Sequence, residues 1–275
     1  MNLEKAIKEA AKEIKEKNYI LITAGAGMGV DSGLPDFRGK EGFWRAYPFA
    51  KKLNVSFEEM ANPYWFRKDP KLAWAFYGHR LNLYRKTTPH EGFYKLLSIA
   101  SQKKDYFVIT SNVDGQFQKA LFNEEKIDEI HGSIHYLQCQ TPCTKEIWSA
   151  KDIQIEIDME NFKALDPLPL CPYCKKVARP NILMFGDFGW IFEREKMQRE
   201  RLYNFLNQLD KKDLAIIEIG AGEAVPTIRL TSEELAIEYE ARLIRINPRD
   251  FNTPQNGIAI PLTAKKAIEE IEKHL

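Results

Sequence analysis

The sequence predicts an α/β fold: a parallel sheet with helices on both faces, joined to a smaller cysteine-bearing module. Three observations carry it. Short apolar runs recur at 19–23, 106–110, 127–130, 214–219, 243–246 and 258–262, continuous as in strands covered on both sides. Helical patterns at 91–100, 115–122, 193–209 and 232–241 lie between several of them, with a last one at 264–273, and strands alternating with helices build a parallel sheet. All four cysteines fall in two tight pairs inside one stretch that breaks this rhythm.

Along the chain, residues 3–17 read as an amphipathic helix, with Leu3, Ala6, Ile7, Ala10, Ala11 and Ile14 on one face and lysines and glutamates opposite. The first strand, 19–23, runs into a glycine-rich turn. Residues 40–85 are dense in aromatics, with Pro48, Pro63 and Pro70 as breakers, and predict a helical insertion. Residues 136–180 hold every cysteine and predict a small module grafted between strands. Ligands of such sheets bind at the carboxyl ends of the strands, so the loops there are where function is sought.

Composition excludes several classes. The 275 residues carry 40 Lys and Arg against 39 Asp and Glu, a formal charge of +1, where a dedicated nucleic-acid binder has a basic excess. With 44% hydrophobic and 29% charged residues the chain is globular rather than disordered. The first residues are charged throughout and lack the apolar stretch of a signal peptide. No apolar run approaches the ~20 residues of a membrane span. A soluble, cytoplasmic protein without membrane or nucleic-acid partners is the expectation.

The cysteines are spaced Cys139-x3-Cys143, then 27 residues, then Cys171-x2-Cys174. Four thiolates from two close pairs surround Zn²⁺ tetrahedrally, in a closed structural shell. Four ordinary thiols, or a redox pair at Cys171 and Cys174, are the alternatives. The absence of any stray cysteine favours zinc. After the first strand, Gly25-Ala26-Gly27-Met28-Gly29 allows close approach of backbone N–H groups to a diphosphate. The dehydrogenase fingerprint fails here, because Val30 stands where its third glycine belongs and Arg45 where its ribose-binding acid belongs. No Walker A lysine follows. A nucleotide is supported; hydride transfer and P-loop hydrolysis are not.

Longer strings carry a resemblance. Gly25-Ala26-Gly27 with Ser32-Gly33-Leu34-Pro35-Asp36-Phe37-Arg38-Gly39, then Thr110-Ser111-Asn112-Val113-Asp114, His131-Gly132, the cysteine pairs, Arg179 through Phe185-Gly186-Asp187, and Ile246-Asn247 follow in order. Together they resemble the sirtuins, NAD-dependent protein deacylases, over nearly the whole chain. The resemblance implies a Rossmann-like NAD-binding domain (1–39, 86–135 and 181–275) and a small domain made of the helical insertion (40–85) and a zinc-ribbon module (136–180). It implies NAD as co-substrate, structural zinc on the four cysteines, and acylated-lysine proteins or peptides as partners, with the acyl group passing to ADP-ribose and nicotinamide leaving.

By matched position, His131 is then the general base, a role an imidazole near pH 7 suits, and Asn112 orients the ribose. Asp114 holds the nicotinamide carboxamide, although an aspartate there also suits a helix cap. Phe37 shields the reactive carbon and Arg38 lies by the phosphates. Gly25, Ala26, Gly27, Asp36, Ser111, Val113, Gly220, Ala221, Gly222 and Asn247 complete the cofactor side. Leu183 and Phe185 line the acyl-lysine tunnel. His79, His90, His135 and His274 have no such frame and are read as structural. Three features depart from the family: Ser111 replaces Gln, Gly29 a small hydroxyl residue, and Ala221-Gly222 a Thr-Ser pair, followed by the charged Glu223. Glu223 is expected to face solvent or to cap the helix beginning near Pro226.

Tyr77 and Arg80 match the Tyr-x-x-Arg pair of sirtuins that remove acidic acyl groups. An Arg fork beside a phenol is a carboxylate receptor, and a three-residue helical step puts both on one face. The alternative is a core tyrosine and a surface arginine. The expected activity is therefore deacetylation with removal of succinyl or malonyl groups. NAD hydrolysis or ADP-ribosyl transfer on the same fold is the competing reading, and a non-catalytic NAD sensor a third.

Overall fold

The continuous apolar runs form the strands of the main sheet: β1 (Tyr19–Ala24), β2 (Asp105–Thr110), β3 (Ile127–Glu129), β9 (Leu214–Ile219), β10 (Arg242–Ile246) and β11 (Ile258–Ile260). The computed structural model describes residues 2–36 and 39–275. All six strands run parallel, in the order β11-β10-β9-β1-β2-β3. In the centre, Tyr19 is in register with Asp105 of β2 on one side and Leu214 of β9 on the other.

Residues of β1 alternate between two cores, as the strand period of two requires. Ile20, Ile22 and Ala24 pack with apolar residues of α1 (Leu3–Glu16), α7 (Glu91–Ser101) and α11 (Ala264–Glu272). Tyr19 and Leu21 pack with α9 (Glu193–Leu206) and α10 (Thr227–Glu238) on the other face. The expected stripe of α1 is buried through Ala6, Ile7, Ala10, Ala11 and Ile14, and the Asn2 side chain caps its start by accepting from the Glu4 N–H.

Two helices differ from expectation. The pattern at 115–122 yields a single turn, α8 (Gln116–Lys119), because Leu121 turns left-handed at φ 71°. The helix expected at 232–241 begins earlier, after Pro226, and stops before Glu240, whose φ is 49°.

The remaining elements share a third core. They are the helices α2 (Gly39–Ala46), α3 (Pro48–Lys52), α4 (Phe57–Met60), α5 (Tyr64–Lys68) and α6 (Pro70–Lys86), with β4 (Gly132–Cys139), β5 (Trp148–Ser149), the hairpin β6 (Ile157–Asp158) and β7 (Lys163–Ala164), and β8 (Ala178–Ile182). Strands β5, β4 and β8 pair antiparallel. Phe43, Tyr47, Trp74, Phe76 and Tyr77 meet Ile134, Leu137 and Ile182 there. Side chains of α6 stitch it to the cysteine-bearing segment: Trp74 Nε1 donates to Ala178 O at 2.9 Å, Asn82 Nδ2 to Ile155 O at 2.9 Å, Arg85 to Ile153 O at 2.5 Å and Ala150 O at 2.6 Å, and Lys71 Nζ to Asp166 Oδ2 at 2.6 Å. No helix among the described residues is long and apolar enough to cross a membrane.

Strands β2 and β3 extend the sheet on one side of β1 and β9 to β11 on the other, so the chain reverses its winding between β1 and β9. A crevice opens at the carboxyl edge of a sheet at such a reversal.

Candidate active site

A cavity of about 800 Å³ lies at this edge. Its sheet wall comes from the loops after β1 (Gly25, Ala26, Asp36), β2 (Ser111, Asn112, Val113, Asp114), β3 (His131) and β9 (Gly220, Ala221, Gly222). Its opposite wall carries Phe57, Tyr77, Arg80, Tyr84, Leu183 and Phe185.

Backbone contacts set the sheet wall. Gly25 N–H donates to Ile219 O and Gly27 N–H to Gly220 O, both at 3.0 Å. Gly220 has φ 65°, and a Cβ there would meet Gly27 Cα at 2.4 Å. The two loops therefore touch main chain to main chain, and a side chain at either position would part them. Asn112 fastens the third loop, its Nδ2 donating to Gly25 O at 2.9 Å. His131 is held on both sides: Ile130 N–H donates to Thr110 O at 3.0 Å, and Leu183 N–H to His131 O at 2.9 Å. Its imidazole pKa lies below the usual 6.5 because burial disfavours the cation, partly offset by a hydrogen bond to the Ser111 backbone.

Asp114 makes the helix-cap contact foreseen for it and also stands on the cavity wall. Its Oδ1 accepts from Gln116 N–H at 2.9 Å, at the start of α8, while the residue also lines the cavity. Burial pushes its carboxyl up to about 6; the Gln116 N–H and the charge of Arg80 pull it down, and Glu129 raises it further.

Two residues expected on the cofactor side do not reach the wall. Gly27 is consumed by its contact with Gly220. Asn247 is fully buried, donating to Ala221 O at 2.8 Å and accepting from Arg249 and Asp250 N–H groups at 3.0 and 3.1 Å. It shapes the loop after β10. From that loop Arg249 Nη2 donates to Asp36 Oδ2 at 2.8 Å, linking it to the loop after β1. Glu223 is exposed, 3.9 Å from Arg229, and stands at the edge of the same cavity; α10 has no side-chain cap. Phe37 and Arg38 lie outside the described residues.

The opposite wall is made of side chains. Tyr77 is 1% exposed, and its hydroxyl has no hydrogen-bond partner among the described residues. Arg80 is no surface arginine: it is buried, its Nε donates to Tyr84 Oη at 3.0 Å, and the rings of Phe57, Phe76, Tyr77 and Tyr84 lie 5.4 to 5.8 Å from its guanidinium. Leu183 and Phe185 follow β8 on a segment held by Asp187. That carboxylate binds Arg179 bidentately at 2.7 and 2.9 Å and accepts from Gly189 N–H at 3.0 Å.

Sequence reasoning passed over Tyr84 and the Arg179–Asp187 pair. The i, i+4 step from Arg80 was the available signal for Tyr84. Arg179 lies in β8 and Asp187 in the loop beyond it, so no single helical or strand period relates them.

The four cysteines converge, none in a disulfide. Their Sγ atoms all lie within 4.8 Å of one another, with Cys139–Cys174 and Cys143–Cys171 both at 3.6 Å. A tetrahedral shell with Zn–S bonds of about 2.3 Å requires sulfurs about 3.8 Å apart. The donor set fits zinc.

Comparison with known proteins agrees with this arrangement. Residues 25–226 match the Sir2 family. An NAD-dependent protein deacylase of Leptospira interrogans is 31% identical over 229 residues, covering 83% of this chain and 81% of the relative. NAD-dependent protein deacylase 1 of Archaeoglobus fulgidus is 27% identical over 269 residues, covering 96% of each chain. Among solved structures, a Sir2 homologue in complex with NAD superposes with a TM-score of 0.69 at 25% identity, covering 97% of this chain and 93% of the other. A mutant Sir2 homologue in complex with ADP-ribose gives 0.72 at 25% identity, covering 97% and 95%.

Proposed function

The chain belongs to the Sir2 family and is an NAD-dependent protein deacylase, and we propose that it passes the acyl group of acyl-lysine to ADP-ribose, taking acidic acyl groups as well as acetyl. When bound, NAD supplies the electrophilic ribose carbon and nicotinamide as the leaving group. His131 accepts the proton of a ribose hydroxyl; its depressed pKa keeps the imidazole neutral, as a base must be, at physiological pH. Asn112, tied to Gly25, orients the ribose, and Asp114 accepts from the nicotinamide carboxamide. The roles of Phe37 and Arg38 rest on the motif alone. The substrate lysine enters between Leu183 and Phe185.

One observation supports the acidic acyl group above all: the partnerless Tyr77 hydroxyl buried beside the Arg80 guanidinium on the cavity wall. Burying an unsatisfied hydroxyl costs stability unless something binds there. A carboxylate at the end of an acyl chain accepts from that phenol and is drawn to the neighbouring guanidinium charge.

The test is peptide deacylation with acetyl, malonyl and succinyl substrates, with and without NAD. Nicotinamide release should require peptide and equal the O-acyl-ADP-ribose formed; release without peptide identifies an NAD hydrolase instead. Arg80→Met should lower succinyl removal at least tenfold relative to acetyl removal. An unchanged ratio rejects the acyl-pocket assignment.

A further inference from the structure

We propose that Tyr84 is a positioning residue, fixing the plane of the Arg80 guanidinium and so selecting acyl groups that end in a carboxylate; this rests on the acyl-pocket reading above. Tyr77, Arg80 and Tyr84 follow one another at i, i+3 and i+7 along α6, the spacing that stacks side chains on one helical face. All three are buried and line the same cavity.

An arginine head group rotates about its last torsions, and the hydrogen bond to Tyr84 restricts that freedom within a cage of four rings. The Nε–H lies in the guanidinium plane and donates to Tyr84 Oη at 3.0 Å. Carboxylates bind arginine in the plane of the fork. A fixed plane therefore fixes the line along which an acyl carboxylate must arrive.

The chemistry of the partner matters as much as its place. A carboxylate bonded to Nε would cancel the charge that an acidic acyl group needs. A phenol accepts the same N–H and stays neutral. Burial raises the Tyr84 pKa, more than offsetting the nearby Arg80 cation, which lowers it. Tyr84 thus orients Arg80 without competing for its charge.

Tyr84→Phe keeps the ring and removes the acceptor. The readout is the ratio of succinyl to acetyl kcat/KM in one preparation, from which any loss of folded enzyme cancels. Tyr84→Phe should lower the ratio about tenfold through a higher succinyl KM, the order expected for one hydrogen bond at a charged group. In an Arg80→Lys background, which retains the charge but has no Nε, Tyr84→Phe should move the ratio less than twofold. A merely structural tyrosine would shift the ratio equally in both backgrounds or not at all, and either result overturns the proposal. If Arg80→Met collapses the ratio while Tyr84→Phe spares it, only the role of Tyr84 falls. If Arg80→Met leaves the ratio unchanged, the acyl-pocket reading falls and this inference with it.

Discussion

The sheet wall of the cavity is built from main chain, with glycines of two loops in contact, whereas the α6 wall is built from buried side chains around Arg80. Where the two loops touch, at Gly27 and Gly220, the main chain admits no side chain, because a single Cβ would separate them. Side-chain walls keep their shape while their chemistry is exchanged. The first suits the part of a reaction common to every substrate, and the second the part that varies.

The comparison breaks most completely at the cysteine module, which supports the α6 wall from behind. Purified protein should contain one zinc per chain. Stripping it, or Cys171→Ser, should abolish deacylation and raise hydrogen exchange across residues 136–180 while β1, β2 and β9 stay protected. Exchange rising equally in both regions would show that the two walls do not fold separately.

On the sheet wall, His131→Ala should lower kcat/KM by about 10²–10⁴-fold with the melting temperature little changed. In the intact enzyme the acid limb of the pH–rate profile should lie below 6.5. The neutral imidazole is the active form, and its lowered pKa keeps it neutral further into acid.

Gly220→Val should cost about 3 kcal/mol in denaturant unfolding, from a left-handed backbone and a clash with Gly27.

Asp114→Asn should have the opposite sign. The carboxyl titrates near 3.8 when unfolded and about 6 when folded, so its burial costs stability above pH 6. The variant should gain on the order of 2 kcal/mol at pH 8, an advantage that fades as pH falls from 6 towards 4. Its activity should drop throughout.

The smallest effect lies on the α6 wall, where Tyr77→Phe should leave stability unchanged or raise it by up to about 1 kcal/mol, because the hydroxyl it removes has no partner. Calorimetry at one pH separates it from Gly220→Val.

The same contrast explains what was legible in the sequence. Strands such as Leu214–Ile219 are apolar at nearly every position, and their burial on two faces leaves that mark. Short motifs carried the loops at their ends because the backbone geometry there demands particular residues. The α6 wall was half legible: Tyr77 and Arg80 stood out by type and spacing, whereas Tyr84 is one aromatic among many between 40 and 85. Asn247 was assigned by motif to the cofactor; it is buried, bonded to backbone groups of its own loop and to Ala221 O in the loop after β9. A motif records that a residue is needed without recording what it touches. The single turn of α8 was hidden because the left-handed residue that ends it is a leucine, which is ordinarily helix-forming.

The Arg179–Asp187 pair has both side chains 1% exposed, and it pins the segment bearing Leu183 and Phe185 before any lysine arrives. Ordering of that rim is settled during folding, so docking a protein substrate need not sacrifice the rim's freedom a second time. On the proposed reading, in which the lysine enters here, discrimination then falls to the α6 wall within rather than to the rim.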